Sequence, residues 1–187
     1  ECQDPGTDPA PPGSGLICSQ FDQCMVDQCG NPPSEACANT AFNSVCVPAA
    51  ANMTEVNLYL TLNGCMATNC LSSPNIAAQA ECITTHCLSA YAQCFAGTYG
   101  DGACGTIDGC VSAQGCTPSP DEVDLVCARD CYNQASEPAN AVYWSLQLCI
   151  YGACGNDENL AACALSAVQE DGACLDLQEL CQNDGAP

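Results

Sequence analysis

The sequence has almost no positive charge. It contains no lysine, one arginine (Arg129) and one histidine (His86), against 22 Asp and Glu, for a formal net charge of −21. Such a surface repels nucleic acid and anionic lipid, and phosphate recognition has a single strong cation to use. A salt-bridge network cannot hold the fold together, and self-repulsion, which salt would screen, has to be outweighed by something else. Aromatics are scarce as well, with three Phe, six Tyr and one Trp, so covalent cross-links are expected to replace bulk in the core. No run of about 18 apolar residues exists, so no membrane-spanning helix is expected. Cys-x2-Cys, the usual ligand spacing of a thiolate metal site, is missing too; the closest pair is Cys127-x3-Cys131. No metal or other cofactor is expected.

Cysteine is what the chain has in abundance: 21 of 187 residues. That is above the roughly 8–10% at which a short chain reads as a disulfide scaffold. Cytosolic thiols stay reduced, so this usage points to an extracellular or cell-surface protein. A leader, where one existed, is expected to have been removed before Glu1. Lipidation would call for a cysteine in first place, and Cys2 stands second.

Twenty cysteines fall into two ladders of ten. The first is Cys18, Cys24, Cys29, Cys37, Cys46, Cys65, Cys70, Cys82, Cys87 and Cys94. The second is Cys104, Cys110, Cys116, Cys127, Cys131, Cys149, Cys154, Cys163, Cys174 and Cys181. Paired in order they keep a nearly constant offset, Tyr59 and Tyr143 both stand six residues before the sixth cysteine, and each ladder ends in Cys-x6-Cys. An internal duplication is therefore expected: a proline- and glycine-rich extended tail at 1–15, a ten-cysteine domain at 16–97, the joint GTYGDG, and a second copy at 103–183. Copies of about 80 residues have marginal cores, and five disulfides each, at roughly 2–4 kcal/mol apiece, would make the difference.

The expected fold is mainly α, with two tandem disulfide-rich domains built of short helical hairpins led by Cys24, Cys65, Cys110 and Cys149. Ser119-Pro120-Asp121-Glu122 has the chemistry of a capping box, and Ser73-Pro74 is expected to open another helix. Gly30 and Gly155 each follow a hairpin's second cysteine, as a helix C′ residue would. Val56, Leu58, Leu60 and Leu62 alternate as a strand would, but Thr54-Glu55 favours a helix start there. Order alone does not fix the pairing. Nested bridges are one arrangement, with Cys116–Cys127 inside Cys110–Cys131 and Cys70–Cys82 inside Cys65–Cys87. An i,i+5 pair lies about 140° apart on a helix, which suggests that some cysteines face a different hairpin and makes Cys18 with Cys94, or Cys104 with Cys181, closing pairs.

No catalytic set is apparent. His86 reads as a polar side chain on a helix face. The carboxylate groups Asp121/Glu122/Asp124, Asp157/Glu158 and Glu170/Asp171 have generic spacing, suited to capping, turns or weak Ca²⁺ binding. Arg129 reads as an offset to the acids around it. Asn52-Met53-Thr54 is an N-glycosylation sequon. Tyr59, Tyr143 and Trp144 are candidates for a sugar-stacking patch, though equivalent positions in two copies speak more for core packing.

The segments CGTIDGCVSAQGC, CARDC and AVYWSLQLC resemble the cysteine-rich repeats of secreted and lipoprotein-like proteins of myxobacteria and related bacteria. The resemblance spans 16–183 and implies export and helical, disulfide-linked repeats; it brings no activity. The functional expectation is a structural subunit of an extracellular assembly, a filament being one form, with Cys2 and the tail making the contact between copies. The alternative is a monomeric secreted or surface-anchored binding module for a metal ion or glycan.

Overall fold

The computed structural model describes residues 15–116, 124–157 and 159–183. Helix accounts for 74% of it and no strand forms among the described residues. The alternating segment lies inside a helix, Met53–Asn69. Its buried apolar residues are Val56, Tyr59 and Leu62, three apart, so helical spacing decides what is covered and the alternation is incidental.

In chain order the helices are α1 (Phe21–Cys29), α2 (Glu35–Ala41), α3 (Val47–Ala49), α4 (Met53–Asn69), α5 (Ile76–Cys82), α6 (Leu88–Ala96), α7 (Gly105–Gln114), α8 (Leu125–Gln134), α9 (Glu137–Cys154), α10 (Leu160–Ala167) and α11 (Leu175–Asn183). A 3₁₀ turn, Cys18–Gln20, leads into α1, and π turns at Phe42–Cys46 and Ile83–Cys87 join α2 to α3 and α5 to α6.

One helix start differs from expectation, and another lies beside residues outside the described ones. Asn75, not Ser73, caps α5, its side chain accepting from Ala78 N–H at 2.9 Å. Asp124 caps α8, accepting from Val126 and Cys127 N–H at 3.0 and 3.1 Å; Ser119 to Glu122 lie outside the described residues. A short acceptor side chain on extended backbone makes an N-cap, and several residues near each start qualify. The two C′ glycines also differ. Gly30 has the expected positive φ, +78°. Gly155 is right-handed, φ −62°; a Cβ there would come within 2.9 Å of Ile76 Cγ2, so what it provides is room for α5 against α9.

The disulfides form four nested pairs: Cys29–Cys37 inside Cys24–Cys46, Cys70–Cys82 inside Cys65–Cys87, Cys116–Cys127 inside Cys110–Cys131, and Cys154–Cys163 inside Cys149–Cys174. Cys104–Cys181 ties the start of α7 to α11, and Cys18 and Cys94 are each disulfide-bonded. Cys104–Cys181 is thus one of the expected closing pairs, while cysteines five apart on one helix, although about 140° apart, bridge to the same returning segment. A bridge spans 5.4–6.1 Å between Cα atoms in these hairpins, enough for the two to straddle the helix contact, one on each flank. A π turn adds one residue to a helical turn. Cys127 and Cys131, four apart, sit in plain α-helix, whereas Cys82 and Cys87, five apart, have the π turn between them.

The chain forms two compact units, one ending at Tyr59 and the other starting at Leu60. This division does not follow the two ladders. In the first unit Phe21, fully buried, stacks on Tyr59 at 5.1 Å between ring centroids, and Phe42 lies 5.6 Å from Tyr59. In the second, α9 is the centre: α5, α6, α10 and α11 all pack on it. Its Trp144 meets Phe95 at 4.3 Å and Tyr132 at 5.1 Å. The GTYGDG segment is tied down by Gly100 N–H to Ala135 O at 3.0 Å and Gly102 N–H to Gln134 O at 2.8 Å. Equivalent positions in the two ladders make the same isolated parallel bridge, Leu16 with Ala50 and Gly102 with Ala135.

Candidate functional site

The residues that chemistry would use are engaged in structure. Tyr59 O–H donates to Asp22 at 2.7 Å, from α4 to α1. Tyr143, on α9, is hydrogen-bonded to Asp108 on α7 and to Tyr132 on α8. A phenol has one hydrogen; with the Tyr143 hydrogen on the carboxylate, its oxygen accepts from Tyr132. Asp22 and Asp108 each stand four residues after the first cysteine of a ladder, so the tyrosine–aspartate pair recurs at equivalent places. Burial is the largest cause for all three phenols: it pushes Tyr59 and Tyr143 well above the usual phenol range, with their bonds to aspartate adding to it, and pushes Tyr132 up to about 12 against the opposing Tyr143 bond. Although Asp108 keeps much of its surface in water, desolvation of its carboxyl raises it above the ordinary carboxylate value, and the Tyr143 bond only partly opposes this.

Tyr59, Tyr143 and Trp144 are 6–7% exposed; they belong to two separate cores and offer no sugar-stacking face. Arg129 lies against Gly97, where a Cβ would meet its guanidinium. Gly97 closes the C-terminus of α6, the end at which the helix dipole favours a cation. His86 is exposed at the end of a π turn. Asn52 is exposed, and its side chain accepts from Thr54 and Glu55 N–H at 2.9 and 3.2 Å, so the sequon residue starts α4. Of the carboxylate groups, Asp124 caps α8, Asp157 accepts from Asn159 N–H at 2.8 Å, and Asp121, Glu122 and Glu158 lie outside the described residues. Glu170 and Asp171 border an open depression of about 420 Å³ beside α10, with Ser166 and small side chains around it. Among the described residues no three His, Cys, Asp or Glu come together to hold a metal ion, and no helix is long and apolar enough to cross a membrane. Cys2 lies outside the described residues.

Sequence reasoning missed two surfaces. On α4 and just beyond it, Leu60 (48%) and Leu71 (83%) are exposed, with Gly64 and Thr68 exposed between them. On α10, Leu160 and Leu165 are exposed. A signal was present: in so acidic a chain, residues 56–80 and 159–169 carry no charged residue. No protein-family model matches the chain, and no curated protein or solved structure is significantly similar to it.

Proposed function

We propose that this chain is a secreted structural subunit built from two copies of one ten-cysteine helical module, and that copies join into an extracellular assembly. The observation that carries the reading is the cysteine count. All twenty ladder cysteines are disulfide-bonded, and the chain has 21, leaving Cys2 for a contact between copies. The bonded ladders agree with an extracellular setting. The nested hairpins, the paired bridges at Leu16 and Gly102 and the two tyrosine–aspartate pairs support the duplication. A tail of fifteen residues in polyproline conformation would reach about 45 Å at ~3.1 Å per residue, which brings Cys2 to a neighbour. The binding-module reading has less support, because the aromatics it would use are buried and Glu170 with Asp171 make a sparse site.

Native mass with and without reductant tests the reading, on the parent, Cys2→Ser and a chain lacking residues 1–15. Loss of reductant-sensitive oligomers in both variants is expected. If both keep the parent's mass, the tail is not an assembly element and the monomeric binding module takes precedence.

A further inference from the structure

Within the second unit, α5 lies along one face of α9. A side chain at Gly152 would come within 3.2 Å of Ala80 Cβ, one at Gly155 within 2.9 Å of Ile76 Cγ2, and Leu148 clusters with Ala80 and Ile83. The ladders say which residues of α4 correspond to that face. Leu60 and Trp144 both stand five residues before the sixth cysteine, Gly64 and Leu148 one before it, and Thr68 and Gly152 three after it; Leu71 and Gly155 follow the seventh. In α9 these positions are covered, Leu148, Gly152 and Gly155 by α5 and Trp144 by α6 and α8. Their four counterparts, three on α4 and Leu71 just beyond it, are exposed.

The donor helix has a counterpart as well. Ala80 and Ala161 both stand two before the eighth cysteine, which places α10 where α5 stands in the first ladder. Like α5, α10 is bridged to the preceding long helix, here by Cys154–Cys163. Its outer side, unlike that of α5, is open: Leu160 is 38% and Leu165 63% exposed, and Ala161 is exposed between them. The chain thus carries one contact of α5-on-α9 type, together with an unfilled acceptor on α4 and an unused donor on α10.

We propose that α10 of one copy docks on the Leu60–Leu71 face of α4 in the next, repeating between chains the packing that α5 and α9 make within one. The proposal rests on the self-association argued above and names its surfaces. Two further observations favour a second copy as the occupant. Copies at −21 repel, and the named leucines come from the stretches 56–80 and 159–169, which hold no charged residue, with Asp157, the ladder counterpart of Ile76, at the border of the α10 side. Gly64 sits inside a helix, where glycine is disfavoured, and no atom lies within 4 Å of where its Cβ would be. Among the described residues nothing packs on it, as at Gly109 in α7, and this leaves room for a helix to cross closely there. The contact between copies is weaker than its template. Leu60 stands for Trp144, and the α6 partners of Trp144, Tyr91 and Phe95, have Gln178 and Gln182 as counterparts on α11. Donor and acceptor are different surfaces, so the contact is head-to-tail and propagates from copy to copy, as an open array or a ring.

Sedimentation of the full chain over a range of concentrations tests this, with circular dichroism confirming the fold of each variant. Leu60→Glu and Leu165→Glu place a charge in an apolar contact and should each weaken association about tenfold or more. Leu60→Glu mixed with Leu165→Glu should give a one-to-one pair that neither forms alone, because the intact α10 of the first meets the intact α4 of the second while the opposite junction stays blocked by two glutamates. If the parent associates and both glutamate variants associate equally well, the docking surfaces are wrong while self-association stands. If the parent is monomeric throughout, both readings fall. Pairing of Leu60→Lys with Leu60→Glu would show a symmetric α4–α4 contact and overturn the head-to-tail arrangement.

Discussion

Tyr59 and Tyr143 show how a single hydroxyl fixes the opening helix of each ladder. Each reaches from a long helix to the aspartate at the same ladder position on the helix that opens that ladder. Tyr59→Phe removes one hydrogen bond and Tyr143→Phe two, both leaving the aromatic packing, so they should cost about 1 and about 1–3 kcal/mol respectively in thermal unfolding. A change of about zero for both would make these pairs incidental. The shifted phenols also set an alkaline limit. Their folded-state values lie above the unfolded value of about 10, with Tyr132 up to about 12. The folded state therefore favours the protonated phenols; this contribution is complete below about pH 10 and is lost as pH rises through the folded values. Phenolate absorbance followed together with circular dichroism should show these tyrosines ionising late, as helix is lost. The matching positions of the two tyrosines are legible in the sequence. Their partners are not, because Asp22 and Asp108 look the same as any of the 22 acids until the helices pack.

Among the elements, glycine separates the two long helices. At Gly155 an added Cβ would press on Tyr151 O at 2.7 Å and on Ile76 Cγ2 at 2.9 Å, so Gly155→Ala must push α5 off α9 and should destabilise by about 1–3 kcal/mol. At Gly64 the added Cβ meets nothing within 4 Å, and Gly64→Ala should stabilise the monomer by up to about 1 kcal/mol through helix propensity alone. Denaturant midpoints of the two variants should move in opposite directions; movement in the same direction would contradict the α5-on-α9 packing. Much at this level was legible. Helix at Met53–Asn69 follows from Thr54-Glu55 and the continuing cysteine spacing. The inner and outer bridges at Cys110/Cys116/Cys127/Cys131 follow from nesting. What stayed hidden depends on local competition or on packing. Asn75 and Ser73 are both competent caps two residues apart, and a π turn leaves no mark in a pattern read at 3.6 residues per turn. The need for Gly155 appears only when Ile76 is beside it.

For the molecule as a whole, the decisive quantity is the imbalance between 22 acids and one arginine, a net charge of −21 with a sequence pI near 4.1. Disulfides let the fold tolerate that imbalance, because they restrict the unfolded chain whatever the charge. In the proposed assembly, approach of two such chains is opposed at long range, and the charge-poor faces of α4 and α10 would close without bringing many like charges together. Composition made the repulsion legible, but not which uncharged stretches face outward, since burial of Trp144 and exposure of Leu60 at the same ladder position depend on what packs over each. The balance can be moved from outside. Raising ionic strength from about 0.01 M to 1 M shortens the Debye length from about 30 Å to about 3 Å, and lowering pH toward the pI protonates the carboxylates. Both changes should shift sedimentation of the parent chain to larger species at fixed concentration, and Leu165→Glu should respond much less. Dissociation on adding salt would mean that ionic contacts hold the copies together, and apolar docking of α10 on α4 could not then be the contact that builds the assembly.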